Sequence, residues 1–418
     1  MLNNSVSETQ LGPIPSEWEI IELGEVASLT MGQSPPSSTY NSAGIGLPFL
    51  QGKAEFGKIY PTPIKWCSEP QKLAKSGSIL ISVRAPVGDV NVAKDEVCIG
   101  RGLASIDGNE LLDNWFLFFQ LAYSKNRLEE RGTGSTFKSI NKGVLQEFHI
   151  PLPPLPEQRA IAHVLSTLRQ SIEATKTVIT AARELKQSMM KHLLTYGPVP
   201  IDNTDQVSLK DSVIGEVPDA WDIVELDELV TQKITDGTHK TPSYLDVGVP
   251  FVTAKDISGG RLDFSDCKFI SIEEHEELCR RVKPERDDIL LSKVGTLGYV
   301  AQIDVDIDFS IFVQLALIKP DREIVIPNYL KFALLSSNVQ EEIIRTSSQS
   351  TMKYIGVGKI AQLHIPKPSK KVQADIQCIL ELVDDKLSSE EQRKSALEAL
   401  FNSLLHHLMT GKVRVQVD

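Results

Sequence analysis

A short turn rich in small, hydroxylated and basic residues occurs twice in this chain, as RGTGSTFKSINK at 131–142 and QSTMKYI at 349–355. The first copy offers Arg131, Ser135, Thr136, Lys138, Asn141 and Lys142, and the second offers Ser350, Thr351, Lys353 and Tyr354. Lys and Ser/Thr suit phosphate oxygens, the Arg fork can take guanine bidentately, and Asn suits adenine. These residues are therefore candidates for holding DNA. Both copies share an STxKxI pattern, so a framework turn that touches nothing is the competing explanation. Residues that read bases should lie where the copies differ. Further phosphate candidates are Arg84 beside the APVG turn, Lys293 beside VGTLG, and Lys53 and Lys255 after the matched PFxxxK runs.

Other chemistry is not supported. No NPPY or DPPY stretch is present for methyl transfer to an exocyclic amine, and adjacent prolines occur only in QSPPSS and PLPPLP. There is no GxGxxG after a strand and no GxxxxGK[ST] for a nucleotide. HEEL at 275–278 lacks the second His of a zinc protease helix and reads as a solvated helix face. His406 and His407 read as helix-surface residues, Asp384–Asp385 as a charged helix face, and His149 and His364 as structural groups at strand exits. The five cysteines are scattered without a CxxC, against a disulfide framework or structural zinc and in keeping with a reducing cytoplasm. No metal or cofactor is expected, and the chain reads as a binding protein, not an enzyme. No run of about 18 apolar residues exists to span a membrane, and the N-terminus lacks the pattern of a signal peptide.

A net charge of -11 over 418 residues is unusual for a protein that grips phosphates unaided. The charge is uneven, however. Residues 124–142 carry five basic side chains against Glu129 and Glu130, whereas residues 202–236 carry ten acids against two lysines. Local basic patches survive the acidic total.

The elements that must carry these residues are written twice. GPIPSEWEIIEL (12–23) matches GEVPDAWDIVEL (215–226), with Trp18 and Trp221 in register. SILISVRAPVGDV (78–90) resembles DILLSKVGTLGYV (288–300), and GSTFKSINKGVLQEFHIPLP (134–153) matches QSTMKYIGVGKIAQLHIPKP (349–368). A period near 210 residues indicates duplication of a whole unit, not a solenoid. The first part of each half alternates short β-branched runs with Gly, Pro, Asn and Asp, and one amphipathic helix is predicted at 115–132 and another at 328–345. That is an α+β domain, mostly antiparallel.

The last part of each half differs. From Glu157 to Leu194 and from Lys371 to Met409 neither Gly nor Pro appears. Positions at 4,3 spacing are Ile161, Leu165, Leu168, Ile172, Thr175, Ile179, Ala182, Lys186, Met189 and Leu193 in the first run. In the second they are Ile376, Leu380, Val383, Leu387, Glu390, Lys394, Leu397, Phe401, Leu404 and Leu408. Sixteen of these twenty are apolar, a heptad seam that predicts a coiled coil. Pro151, Pro153 and Pro154 should end a strand, Pro156 suits the first helical turn, and Glu157 complements the helix N-terminus. Short connections favour antiparallel pairing, with the globular units at opposite ends, Ile161 near Leu408 and Leu193 near Ile376. Glu390 and Lys394 are expected to pair at i,i+4.

This order of variable unit, helix, variable unit, helix resembles the specificity (HsdS) subunit of type I restriction–modification systems. The resemblance spans nearly the whole chain and rests on HIPLPPLPEQRAI, its second copy HIPKP…VQADI, the two STxKxI elements, and the terminal LLTYG and LMTGKVRV. The second copy departs from it, with SKKVQADI where the first has PPLPEQRAI. The resemblance implies two tandem target recognition domains (1–154 and 214–368), two helical spacers (155–197 and 369–412), a linker at 198–213 and a tail at 413–418. It further implies a non-catalytic subunit whose domains each read half of a bipartite double-stranded DNA site. Its helices would set the spacer and dock two modification (methyltransferase) subunits, with restriction (translocase/nuclease) subunits as further partners.

Overall fold

A computed structural model describes residues 6–133, 138–348 and 352–415. The chain divides into two compact units, Met1–Thr177 with Gln392–Asp418 and Val178–Glu391. Each contains mixed helix and sheet.

In the first unit an antiparallel sheet orders the strands Val90–Val92, Ile79–Ser82, Leu103–Gly108 and Ala27–Met31. Its central ILIS strand is buried along its whole length, which explains a continuous apolar run instead of alternation. A second sheet pairs Leu47–Leu50 in parallel with Val97–Ile99. The second unit repeats this plan. Thr235–Asp236, Leu315–Ile318, Ile289–Ser292 and Val300–Gln302 form its antiparallel sheet, and Val249–Val252 pairs in parallel with Ser310–Ile311.

Each predicted amphipathic helix is broken in two. Asn114–Tyr123 is followed by Lys125–Glu130, and Pro327–Leu335 by Ser337–Thr346. The breaks fall at Ser124 and Ser336, whose backbones leave helical geometry, and the Ser336 hydroxyl caps the next helix by accepting the Val339 N–H. Serine competes for backbone groups in just this way. The strand at Leu209–Ser212, inside the expected linker, pairs with Gly215–Pro218 as Val6–Thr9 pairs with Gly12–Pro15. The second unit thus begins before residue 214.

The HIPxP segments close each unit. His149–Leu152 pairs antiparallel with Glu19–Glu22, and His364–Lys367 with Asp222–Glu225. Pro151 therefore lies inside a ladder, opposite Ile20, and does not end it. A two-stranded ribbon has only edge strands, where a missing N–H is tolerated.

Leu155–Tyr196 and Lys370–Met409 are single helices of 42 and 40 residues, roughly 60 Å each at ~1.5 Å per residue. Within the first unit Ile161 and Leu165 share a core with Leu408, Phe401 and Leu404. Within the second, Met190 and Leu193 share a core with Ile376 and Leu380. The early part of each helix thus meets the late part of the other, which is antiparallel pairing. None of the twenty seam positions is exposed. The ion pairs fall differently from expectation: Lys386 bonds Glu390, and Lys394 lies 3.7 Å from Glu398. Lys176 also reaches Glu398 at 3.5 Å across the pair, which draws the acid partner one turn past Lys394. Gly197 and Gly411 end the long helices with φ of 82° and 66°, the left-handed cap that glycine takes most readily.

Candidate nucleic-acid interface

Each candidate turn is built on a buried serine. The Ser82 hydroxyl donates to Pro86 O at 2.8 Å and accepts from Asp89 N at 3.0 Å. Ser292 does the same with Thr296 O and Tyr299 N, both at 2.8 Å. These bonds fix the APVG and GTLG turns that follow. The chain then meets the second basic turn edge to edge: Ile140 N bonds Val83 O at 3.0 Å, and Ile355 N bonds Lys293 O at 2.9 Å. Arg84 forms a bridge with Ser139, and Val294 with Tyr354. The two candidate sets of each unit, far apart in sequence, therefore adjoin in space.

The individual residues fare differently. Arg84, Lys138 and Lys142 are exposed, and among the described residues their side chains make no hydrogen bond or ion pair. The same holds for Lys353, while the neighbouring Tyr354 is 54% exposed. Asn141 accepts the Val144 N–H at 3.0 Å as a helix N-cap, and Arg131 donates to Glu147 O beside the Phe148 ring. Both therefore support their own unit. Ser135, Thr136, Ser350 and Thr351 lie outside the described residues.

Lys53 lies 2.7 Å and Lys125 2.8 Å from the Asp89 carboxylate. Burial alone would raise the Asp89 carboxyl, but the hydrogen bonds from the two lysines outweigh it and hold it below the usual carboxylate range. Lys255 bonds Asp266 at 2.6 Å. Lys293 is buried with its ammonium 3.0 Å from Asp236. The candidates Lys53, Lys255 and Lys293 are thus neutralised within the chain, which separates them from Arg84, Lys138 and Lys353.

Two glutamines escaped the sequence reading. Gln158 is fully buried, accepts from Asp113 N and donates to Leu111 O and Pro153 O. Gln373 accepts from Ile326 N and donates to Pro368 O. Each ties the first turn of a long helix to the loop before the apolar helix of its unit. The only signal was their shared place in PEQRAI and KVQADI.

His275, expected on a solvated face, is half-buried with Nδ1 2.9 Å from Ser310 Oγ. His364 lies 2.7 Å from the buried Glu342 carboxylate, and His149 bonds Glu147 O at 3.0 Å. Among the described residues no group of three or more His, Cys, Asp or Glu is placed to hold a metal ion. No described helix is long and apolar enough to cross a membrane.

The family described as "Type I restriction modification DNA specificity domain" matches residues 15–183 and 218–399. The chain is 48% identical over 196 residues to the putative type I restriction enzyme MjaX specificity subunit of Methanocaldococcus jannaschii, a match covering 46% of each chain. It is 22% identical over 408 residues to the MjaVIII specificity subunit of the same organism, covering 96% of this chain and 94% of that one. The crystal structure of the type I restriction-modification system S subunit from M. genitalium has the same fold, with a TM-score of 0.66, 18% identity, and coverage of 98% and 97%.

Proposed function

Since this chain belongs to the type I restriction–modification DNA specificity family, matched in both of its halves, we propose that it is the DNA sequence-specificity subunit of such a complex in the cytoplasm. Each globular unit reads one half of a bipartite double-stranded site. The paired long helices set the unread spacer and dock two modification (methyltransferase) subunits, and restriction subunits join that assembly. The chain itself transfers no methyl group and holds no cofactor.

One observation carries this reading: two repeat-related units have the same framework and unlike exposed residues. A corresponding lysine, Lys138 or Lys353, is common to both. The bridged pair, however, is Arg84 with Ser139 in the first and Val294 with Tyr354 in the second, so exposed Arg84 and exposed Tyr354 each belong to one unit alone. Two different readers on one chain suit an asymmetric split site, which a symmetric homodimer would not. Matching docking surfaces on the repeated helices suit two copies of one partner. The net charge of -11 is consistent with partner subunits supplying much of the phosphate contact.

The test is exchange of residues up to His149 for the same unit of a relative, followed by methylation-sensitive sequencing of a genome carrying the variant. One half of the methylated sequence should change and the other should stay. A change in both halves, or binding of protein partners with no selection among DNA duplexes, would instead support a two-headed protein scaffold.

A further inference from the structure

Asp236 is buried at the end of the strand Thr235–Asp236, and two cations from distant stretches of chain reach it together with the nearby His239. Lys293 Nζ lies 3.0 Å from Oδ2, Arg281 Nη2 donates to Oδ1 at 2.8 Å, and His239 Nε2 lies 3.3 Å from Oδ2. Lys293 is buried with the carboxylate, whereas the Arg281 and His239 side chains are 57% and 66% exposed. The cluster therefore presents an arginine and a histidine to solvent over one enclosed ion pair.

The fold does not require that ion pair. Asp236 stands opposite Ala316 in its sheet, as Met31 stands opposite Ala104 in the first unit. Lys293 follows Ser292 as Val83 follows Ser82. Met31 and Val83 belong to the apolar core of the first unit, so the same two sites pack well without charge. Burying an ion pair where an apolar pair serves gains little stability or loses some, and its presence calls for another use. The cluster also borders the candidate DNA-facing strand, since Gly295 N bonds Lys353 O at 2.9 Å beside exposed Tyr354.

We propose that Asp236 is a positioning residue that holds the Arg281 guanidinium as a guanine reader for the half-site of the second unit. Fixing Nη2 on the carboxylate orients the planar fork and leaves its other donors to pair with guanine O6 and N7. Lys293 keeps the carboxylate charged and in place. This inference rests on the DNA-reading function proposed above.

The experiment uses the full chain assembled with its modification subunit and a library of duplexes containing the site. Arg281→Gln should lower the preference for guanine at one position of the second half-site about 10-fold and leave the first half-site unchanged. The pair Asp236→Met with Lys293→Val, which copies the first unit, should fold and show the same loss at the same position. Unchanged base preferences in Arg281→Gln would overturn the proposal. So would equal weakening on all sequences with a flatter salt dependence, which marks a phosphate contact. Unfolding of the double variant would make Asp236 structural and overturn its positioning role. Absence of any sequence preference in the unaltered complex would overturn this proposal together with the function on which it rests.

Discussion

Arg414, five residues past the second long helix, grips Glu157 in the first turn of the first, with Nε 2.5 Å and Nη2 2.8 Å from the carboxylate. The Trp18 indole N–H adds a third bond to Glu157 at 3.1 Å. Both charged side chains are at least nine-tenths buried. Glu157 thus does more than complement a helix terminus: it fastens the chain's tail and its first tryptophan to one helix start.

The repeat shows what this clamp replaces, since Val372 and Pro200 occupy the corresponding places in the second unit. Arg414→Ala leaves a buried carboxylate without its counter-ion and should destabilise the first unit by about 3–5 kcal/mol. Adding Glu157→Val should recover much of that loss, because the unpaired charge goes with it. Thermal unfolding of the single and double variants is the measurement. Equal melting of both would contradict the argument.

The glutamine ties give a second prediction. Gln158→Ala leaves the Asp113 N–H and the Leu111 and Pro153 carbonyls without this partner. The loss should be about 1–3 kcal/mol, and Gln373→Ala should cost the second unit a similar amount. Denaturant unfolding should show a lower midpoint for each. A Gln158→Glu variant should recover only the bond to Asp113 N, since a carboxylate cannot donate to carbonyls.

Much of this was legible beforehand, for identifiable reasons. The heptad seam depends on periodicity alone, and none of its positions from Ile161 to Leu408 is exposed. The HIPxP boundaries were visible because proline is so restricted in backbone geometry. Breaks at Ser124 and Ser336 were not visible, since serine within an apolar helical pattern looks like one more surface residue. The Ser336 hydroxyl turns out to bond the Ala333 carbonyl and the Val339 N–H, and that of Ser124 accepts from the Gln120 side chain. The candidate site was half legible. Residue type could not separate Lys53, Lys255 and Lys293, each facing a carboxylate, from Lys138 and Lys353, which face solvent. Asp89, Asp266 and Asp236, distant in sequence or unremarkable in type, decide that difference.

That difference is itself testable. Lys138→Ala and Lys353→Ala should weaken binding of the assembled complex on all sequences and lower the slope of log K against log salt by about 1 each. Lys255→Ala should leave that slope almost unchanged, because Asp266 already neutralises the ammonium. Titration of binding at several salt concentrations distinguishes the two groups.

Acid should act through Asp89. Its carboxyl is held below the ordinary value of 3.8, because the bonds from Lys125 and Lys53 outweigh burial. A carboxylate depressed on folding adds stability that is fully present above its unfolded value and is lost as pH falls through its folded value. The first unit should therefore lose stability from about pH 5 downward, and Asp89→Asn should be less stable at neutral pH with a flatter acid limb. Chemical denaturation across that range reads both effects.

The proposed spacer role makes a geometric prediction. Seven residues add about 10.5 Å to a helix and return the seam to the same face, so a heptad must be added to both long helices to keep their antiparallel register. Suitable insertion points lie beside Thr175 and Lys394, which the 4,3 pattern places on the seam and which are not exposed. The added length corresponds to about three base pairs at ~3.4 Å each. The methylated sequence should then keep both half-sites and gain about three unread positions between them. A heptad added to one helix alone leaves Ile161 and Leu408, or Leu193 and Ile376, out of step, and should destabilise the chain without creating a new spacer. If the doubly lengthened chain folds, assembles and still methylates the original spacing, the helices do not set the distance.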